Sequence, residues 1–132
     1  HVILIAHENP DQTVTRWTRD VRPAVQLLTV NWKVTCVDNS ARPSDALHET
    51  FGTDNYLWQE GRNLLYGPSL NLAVPRHPTC KYVLYACTRH GRALDITWVR
   101  DLLDPLERWP EYGIAGHLMG SNSPEGVAHA GG

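Results

Sequence analysis

Three short runs rich in apolar and β-branched residues, each closed by a polar cluster, constrain this chain more than any other feature. Val2-Ile3-Leu4-Ile5-Ala6 is followed by His7, Glu8 and Asn9. Trp32-Lys33-Val34-Thr35-Cys36-Val37 is followed by the polar loop Asp38-Asn39-Ser40-Ala41-Arg42-Pro43. Lys81-Tyr82-Val83-Leu84-Tyr85-Ala86 leads into a polar stretch over residues 88–92. Short apolar-rich runs of this length, unbroken in Val2–Ala6, are the pattern of strands buried on both faces, as in a parallel sheet covered by helices.

Parallel strands need crossover connections, and the intervening segments supply them. Pro10 and Asp11 can start and cap a helix, after which Val14, Trp17, Val21, Val25 and Leu28 recur at helical spacing. Pro23 within that pattern is expected to kink or shorten the helix. Strand, helix and strand make a right-handed βαβ unit. Further along, residues 44–50 read as a short helix and Tyr56-Leu57-Trp58 as a short strand with a turn at Gly61. Residues 68–74 read as a helix with Pro68 at its first position. Asp95 is placed to cap a helix carrying Trp98, Val99, Leu102, Leu103 and Leu106, ended by Trp109 and Pro110. Residues 113–119 give a last strand. The alternation predicts an α/β sandwich around a mostly parallel sheet. Ligands in such sheets bind beyond the carboxyl ends of the strands, so His7-Glu8-Asn9, Asp38-Asn39-Ser40 and Thr88-Arg89-His90 are expected to form one site.

Composition narrows what that site serves. A chain of 132 residues is long enough for one domain with a buried core, so residues 1–132 are read as a single domain. A net charge of -2, with 42% hydrophobic and 20% charged residues, excludes a disordered chain and gives no basic excess for DNA or RNA. The three cysteines, Cys36, Cys80 and Cys87, are odd in number and irregularly spaced. They form neither a secreted disulfide framework nor a paired zinc motif, which points to a reducing cytoplasm. No apolar run reaches the length of a membrane span, so any membrane contact is expected to be peripheral.

Four blocks in order resemble family 2 glycosyltransferases, especially the rhamnosyltransferase-like group. They are Val2-Ile3-Leu4-Ile5-Ala6-His7-Glu8-Asn9, Val37-Asp38-Asn39-Ser40, Asn63-Leu64-Leu65-Tyr66-Gly67-Pro68-Ser69-Leu70-Asn71-Leu72-Ala73-Val74 and Lys81-Tyr82-Val83-Leu84-Tyr85. A fifth, Gly126-Val127-Ala128-His129-Ala130-Gly131-Gly132, is similar to the His-x-Gly-Gly stretch that opens the middle of such enzymes. The resemblance implies the GT-A, nucleotide-diphospho-sugar transferase fold, a Rossmann-like three-layer α/β/α sandwich. The 132 residues would be its nucleotide-sugar-binding half, truncated on the C-terminal side. It implies an inverting transfer of a sugar from a nucleotide-diphosphate donor to a hydroxyl of a saccharide, lipid or natural-product acceptor.

The resemblance also assigns roles. Asp38 would accept from a nucleotide base, or else serve only as a turn residue; Ala6, His7 and Glu8 would line the same pocket. Asn63 and Asn71 would pass near the nucleotide and sugar, Asn71 alternatively being a buried amide that fixes the loop. Leu65 stands where the family has a glycine. His129 would lie near the donor sugar and acceptor.

The departures from the family pattern are as informative as the matches. Where the family carries an Asp-x-Asp pair that holds Mg²⁺ or Mn²⁺, the triplet here is Cys87-Thr88-Arg89. A guanidinium binds no divalent cation but neutralises a diphosphate bidentately, so a metal is disfavoured and Arg89, aided by His90 and Arg92, is expected to bind the diphosphate. The alternative is a non-catalytic nucleotide- or sugar-binding module on the same fold. The family's catalytic base follows the Gly-Gly stretch, so the base is assigned to no residue of this chain.

Overall fold

The computed structural model describes residues 1–86, 95–116, 119–120 and 127–129. β1 (Val2–Ala6) is buried at every position, as its unbroken apolar sequence requires of a central strand. Ile3 and Leu4 are wholly inaccessible, each such side chain contributing about 1.5–3 kcal/mol. β1 pairs in parallel with β2 (Val34–Asp38), Val2 opposite Val34 and Ala6 opposite Asp38. On its other side it pairs in parallel with β4 (Leu84–Tyr85). β3 (Tyr56–Trp58) adds to β2, Asp38 lying opposite Trp58. The described residues thus form a four-stranded, all-parallel sheet in the order β3-β2-β1-β4, an α/β architecture compatible with a Rossmann-like fold.

Helices cover both faces. The first crossover begins at α1 (Pro10–Thr15), where the Asn9 side chain accepts from the Gln12 N–H. It continues through a π-helical turn, Arg16–Val21, into α2 (Arg22–Gln26). The wide turn immediately precedes Pro23, and the Arg22 N–H reaches the Trp17 carbonyl five residues earlier. Widening the ladder makes room for the proline ring, so the helix continues past Pro23 with a distorted turn and ends at Gln26, short of Leu28. α3 (Asp45–Phe51) is capped by Ser44, whose hydroxyl accepts from Leu47 N–H at 3.3 Å.

The first crossover, α3 and α5 (Trp98–Arg108) bury Trp17, Val21, Leu47, Phe51, Trp98 and Val99 against Val2, Leu4 and Cys36 on one face of the sheet. α4 (Tyr66–Ala73) covers the other, packing Leu70 and Ala73 against Ile3, Ile5 and Val37. These are the expected three layers.

Several boundaries differ from the expectation. β2 ends at Asp38 and starts two residues after Trp32. α4 starts before Pro68 and gives way to a 3-10 turn at Val74–Arg76, so Pro68 is not its first residue. In place of a strand over residues 81–86, ladder geometry is confined to Leu84–Tyr85. Residues 113–116 form no strand, and Ile114 is 79% exposed; the flanking Gly113 and Gly116 disfavour extension and Ile114 has nothing to pack against. Met119–Gly120 (β5) instead pairs antiparallel with Val127–His129 (β6), in a separate two-stranded sheet.

Candidate functional site

The carboxyl edge of the sheet gathers residues from three segments. At the tip of β1 the Ala6 carbonyl accepts from Asn39 N–H at 2.9 Å, tying the ends of β1 and β2 together. Beyond it a tight turn closes around Glu8, Asn9 N–H donating to the His7 carbonyl at 2.7 Å. Glu8 takes φ 62, a left-handed conformation that non-glycine residues adopt rarely. Its N–H donates to Ser40 Oγ at 3.3 Å, and its carboxylate stands in solvent.

His7 is the meeting point. Its Nε2 lies 3.1 Å from Asn63 Nδ2 and 3.3 Å from Glu8 Oε1. Asn63 Oδ1 accepts from Leu65 N–H at 3.0 Å, which fixes the carboxamide with its NH₂ toward the ring. A neutral ring accepts that amide hydrogen; a protonated ring donates to Glu8 instead. His7 Nδ1 is buried and has no partner among the described residues. This edge therefore holds an acid, an amide and an imidazole within reach of one small ligand.

Asp38, opposite Ala6 in the ladder, closes the tip of β2. It is fully buried, with Oδ2 accepting from the Tyr56 hydroxyl at 2.6 Å and Oδ1 from Ser40 N–H at 2.9 Å. The Tyr56 oxygen accepts in turn from Ser44 N–H at 2.9 Å. Burial first, then the hydrogen bond to Asp38, pushes the Tyr56 hydroxyl well above the usual phenol range, so it remains a donor. Both Asp38 oxygens are engaged within the chain, and a base N–H reaching this carboxylate would take the place of Tyr56. Tyr56 and Asp38 are not directly opposed in the ladder, so nothing in the strand pattern of the sequence singles Tyr56 out.

Asn39 is also buried, its Nδ2 donating to Ser69 Oγ at 2.9 Å and to the Leu65 carbonyl at 3.4 Å. Ser69 is wholly inaccessible and donates back to the Leu65 carbonyl. The buried amide that holds this loop is thus Asn39, and not Asn71, which is exposed on the opposite side of α4 from Ser69 and Ala73. Sequence reasoning missed Ser69, although a serine one turn into a helix beside a buried loop is a ready partner for a carbonyl.

Leu65, at the start of α4, has φ 59 and ψ -160, a region that glycine alone enters freely. The glycine that the family pattern places here is therefore the residue this backbone suits.

Of the expected site residues, the fold brings together Ala6, His7, Glu8, Asp38 and Asn63, and leaves Asn71 apart. Cys87, Thr88, Arg89, His90 and Arg92 lie outside the described residues. His129 sits in β6, its backbone opposite Met119. Asp95 accepts from Thr97 N–H at 2.9 Å and from the Thr97 hydroxyl in the turn before α5, but the N-cap position is Thr97, so Asp95 does not cap the helix as expected; the Thr97 hydrogen bonds hold its carboxyl below the usual range. Among the described residues no group of three or more His, Cys, Asp or Glu side chains could hold a metal ion. A groove of about 950 Å³ lies at the opposite, amino-terminal edge of the sheet, against Val2, Lys33, Leu84 and Leu103, away from all of these residues. No family model, curated protein or solved structure matches the chain.

Proposed function

We propose that the chain binds a nucleotide-diphosphate sugar as the donor-binding part of a family 2-like, inverting glycosyltransferase of the GT-A fold. The observation that carries this reading is the convergence of the β1 tip, the β2 tip and Asn63 at the carboxyl edge of an all-parallel sheet. Asn63 Nδ2 lies 3.1 Å from His7 Nε2, and Glu8 N–H lies 3.3 Å from Ser40 Oγ. In the sheet order β3-β2-β1-β4 the direction of chain addition reverses between β1 and β4, and it is beside such a reversal that open α/β sheets take their ligands.

In this reading a hydroxyl oxygen of the acceptor attacks the anomeric carbon, the carbon–oxygen bond to the diphosphate breaks, and a base takes the hydroxyl proton. No residue of this chain is assigned as that base. The chain's own contribution is to hold the nucleotide and to neutralise the leaving diphosphate. Arg89, with His90 and Arg92, supplies the positive charge for that, since Cys87-Thr88-Arg89 offers no carboxylate pair for Mg²⁺ or Mn²⁺. In this reading the protein works in the cytoplasm with its donor, and the acceptor is a saccharide, a lipid or a natural product.

A second reading is a nucleotide- or sugar-binding module without transfer activity. It is favoured by Cys87-Thr88-Arg89, which lacks the metal-holding carboxylates on which transfer in such enzymes relies. Calorimetric titration with nucleoside diphosphates and nucleotide sugars, with and without EDTA, tests both. Binding that survives EDTA is the expected result, and absence of binding by every nucleotide overturns the proposal. Sugar-dependent release of nucleoside diphosphate selects the enzyme, and tight binding without release selects the module.

A further inference from the structure

Two large side chains at the start of α4 stand in solvent with no packing reason to do so. Leu65 is 64% exposed and Tyr66 46%. Leu65 also holds a backbone conformation that costs a side-chain-bearing residue free energy, and an apolar group kept exposed on a strained backbone beside the carboxyl edge of the sheet is a mark of use. The Tyr66 ring lies 5.9 Å from that of Tyr85, tilted by 58°. Tyr85 belongs to β4 and pairs with Ile3 of β1, so the two rings flank the β1–β4 reversal on the face covered by α4. Asn63, two positions before Leu65, reaches from this same loop to His7.

An exposed aromatic and aliphatic surface beside an amide and an imidazole fits a flat ring with polar edges. Its face lies on Tyr66 and Leu65, while its edge meets donors and acceptors of Asn63 and His7. A pyranose offers a puckered C–H face, whereas a nucleobase offers a planar π face of the kind that aromatic side chains stack on most strongly. Resting on the nucleotide reading above, we infer that Leu65 and Tyr66 form the stacking wall for the nucleobase of the donor. Nucleobase recognition then runs from the α4 side of the sheet, whereas Asp38 and Tyr56 lie on its other face, beside Cys36.

The test uses the whole chain and defined probes: uridine, adenosine and guanosine diphosphates, their glucose conjugates, and inorganic pyrophosphate. Tyr66→Ala is expected to weaken the preferred nucleoside diphosphate by roughly five- to hundredfold, the span of one base–aromatic stack. Tyr66→Phe keeps the ring and is expected to stay within about twofold of the parent. Pyrophosphate affinity is expected to be unchanged in both. Circular dichroism and urea midpoints confirm that each variant is folded, and Tyr66→Leu, which keeps bulk without a ring and is expected to show a loss of the same order, keeps the test decisive if the Ala variant is not. Three results overturn the wall while leaving nucleotide binding intact: parental affinity in Tyr66→Ala, an equal loss for pyrophosphate, or a loss confined to the sugar conjugates. An unaltered chain that binds none of the probes overturns the nucleotide reading and this inference together.

Discussion

Replacing Leu65 by glycine is expected to improve the backbone at the loop that borders the site, and the comparison with alanine makes the effect measurable. Leu65 adopts φ 59 and ψ -160. A non-glycine residue in that region costs about 1–3 kcal/mol. Against this, glycine gives the unfolded chain more freedom, worth about 0.4–1 kcal/mol relative to alanine. The side chain is 64% exposed, so truncation removes only a modest apolar contact, and removes nearly the same one in both variants. The difference between Leu65→Gly and Leu65→Ala therefore isolates the backbone, and it favours glycine by about 1 kcal/mol. At an ordinary position the sign is reversed, alanine being the better residue by roughly 0.5–1 kcal/mol. Urea unfolding followed by tryptophan fluorescence reads the outcome: with a slope of about 2 kcal/mol per molar, the glycine midpoint lies about 0.5 M above the alanine midpoint at equal slope. An alanine variant as stable as the glycine variant, or more so, refutes the argument that this backbone is strained.

Three further expectations rest on separate residues. Tyr56→Phe removes a donor from a buried carboxylate and a partner from Ser44 N–H, and should cost about 1–3 kcal/mol in urea unfolding; unchanged stability would show that the Tyr56 hydroxyl does not hold Asp38. Arg89→Ala should weaken nucleoside diphosphate binding far more than nucleoside binding, and equal losses in calorimetry would remove Arg89 from the diphosphate site. Asp20 accepts from Arg19 and Arg16, at 2.9 and 2.8 Å, and chiefly the Arg19 hydrogen bond holds its carboxyl below the usual range. A depressed folded-state pKa contributes stability that is present above the unfolded value and lost as pH falls through the folded one. Urea midpoints measured from about pH 6 down to about pH 2 should therefore fall less steeply for Asp20→Asn than for the parent, and identical slopes would exclude Asp20 from the acid limb.

The main elements were legible because their signals are local. The Val2 run, the short helix expected over residues 44–50 and the Tyr56-Leu57-Trp58 strand all stand within a residue of where periodicity and turn chemistry place them. What sequence reasoning misjudged depends on partners distant in the chain. The apolar stretch 81–86 reads as a full strand, yet a strand is defined by its neighbour, and β4 meets β1 with ladder geometry only at Leu84–Tyr85. Pro23 reads as a kink or a shortening, but the pattern cannot show that the distortion takes the form of a widened turn just before it. The choice between Asn39 and Asn71 as the buried amide turns on which side of α4 faces the sheet. Ser69 and Ala73 fix that side, and two residues of helix rotate Asn71 away from it. The site was legible as a place, the carboxyl edge, more than as a set of contacts. The Asp38–Tyr56 hydrogen bond joins residues 18 positions apart, and no spacing rule announces it.

The widened turn in the first crossover has a reach beyond its own helix. Asp20 lies in that turn, and its carbonyl accepts from the buried indole N–H of Trp98 at 3.1 Å, 78 positions along the chain. The stretch of helix least faithful to regular geometry is thus the one to which α5 is moored. Local regularity and tertiary closure compete at this point, and a sequence that perfected the helix there would risk setting adrift the element that seals one face of the sheet.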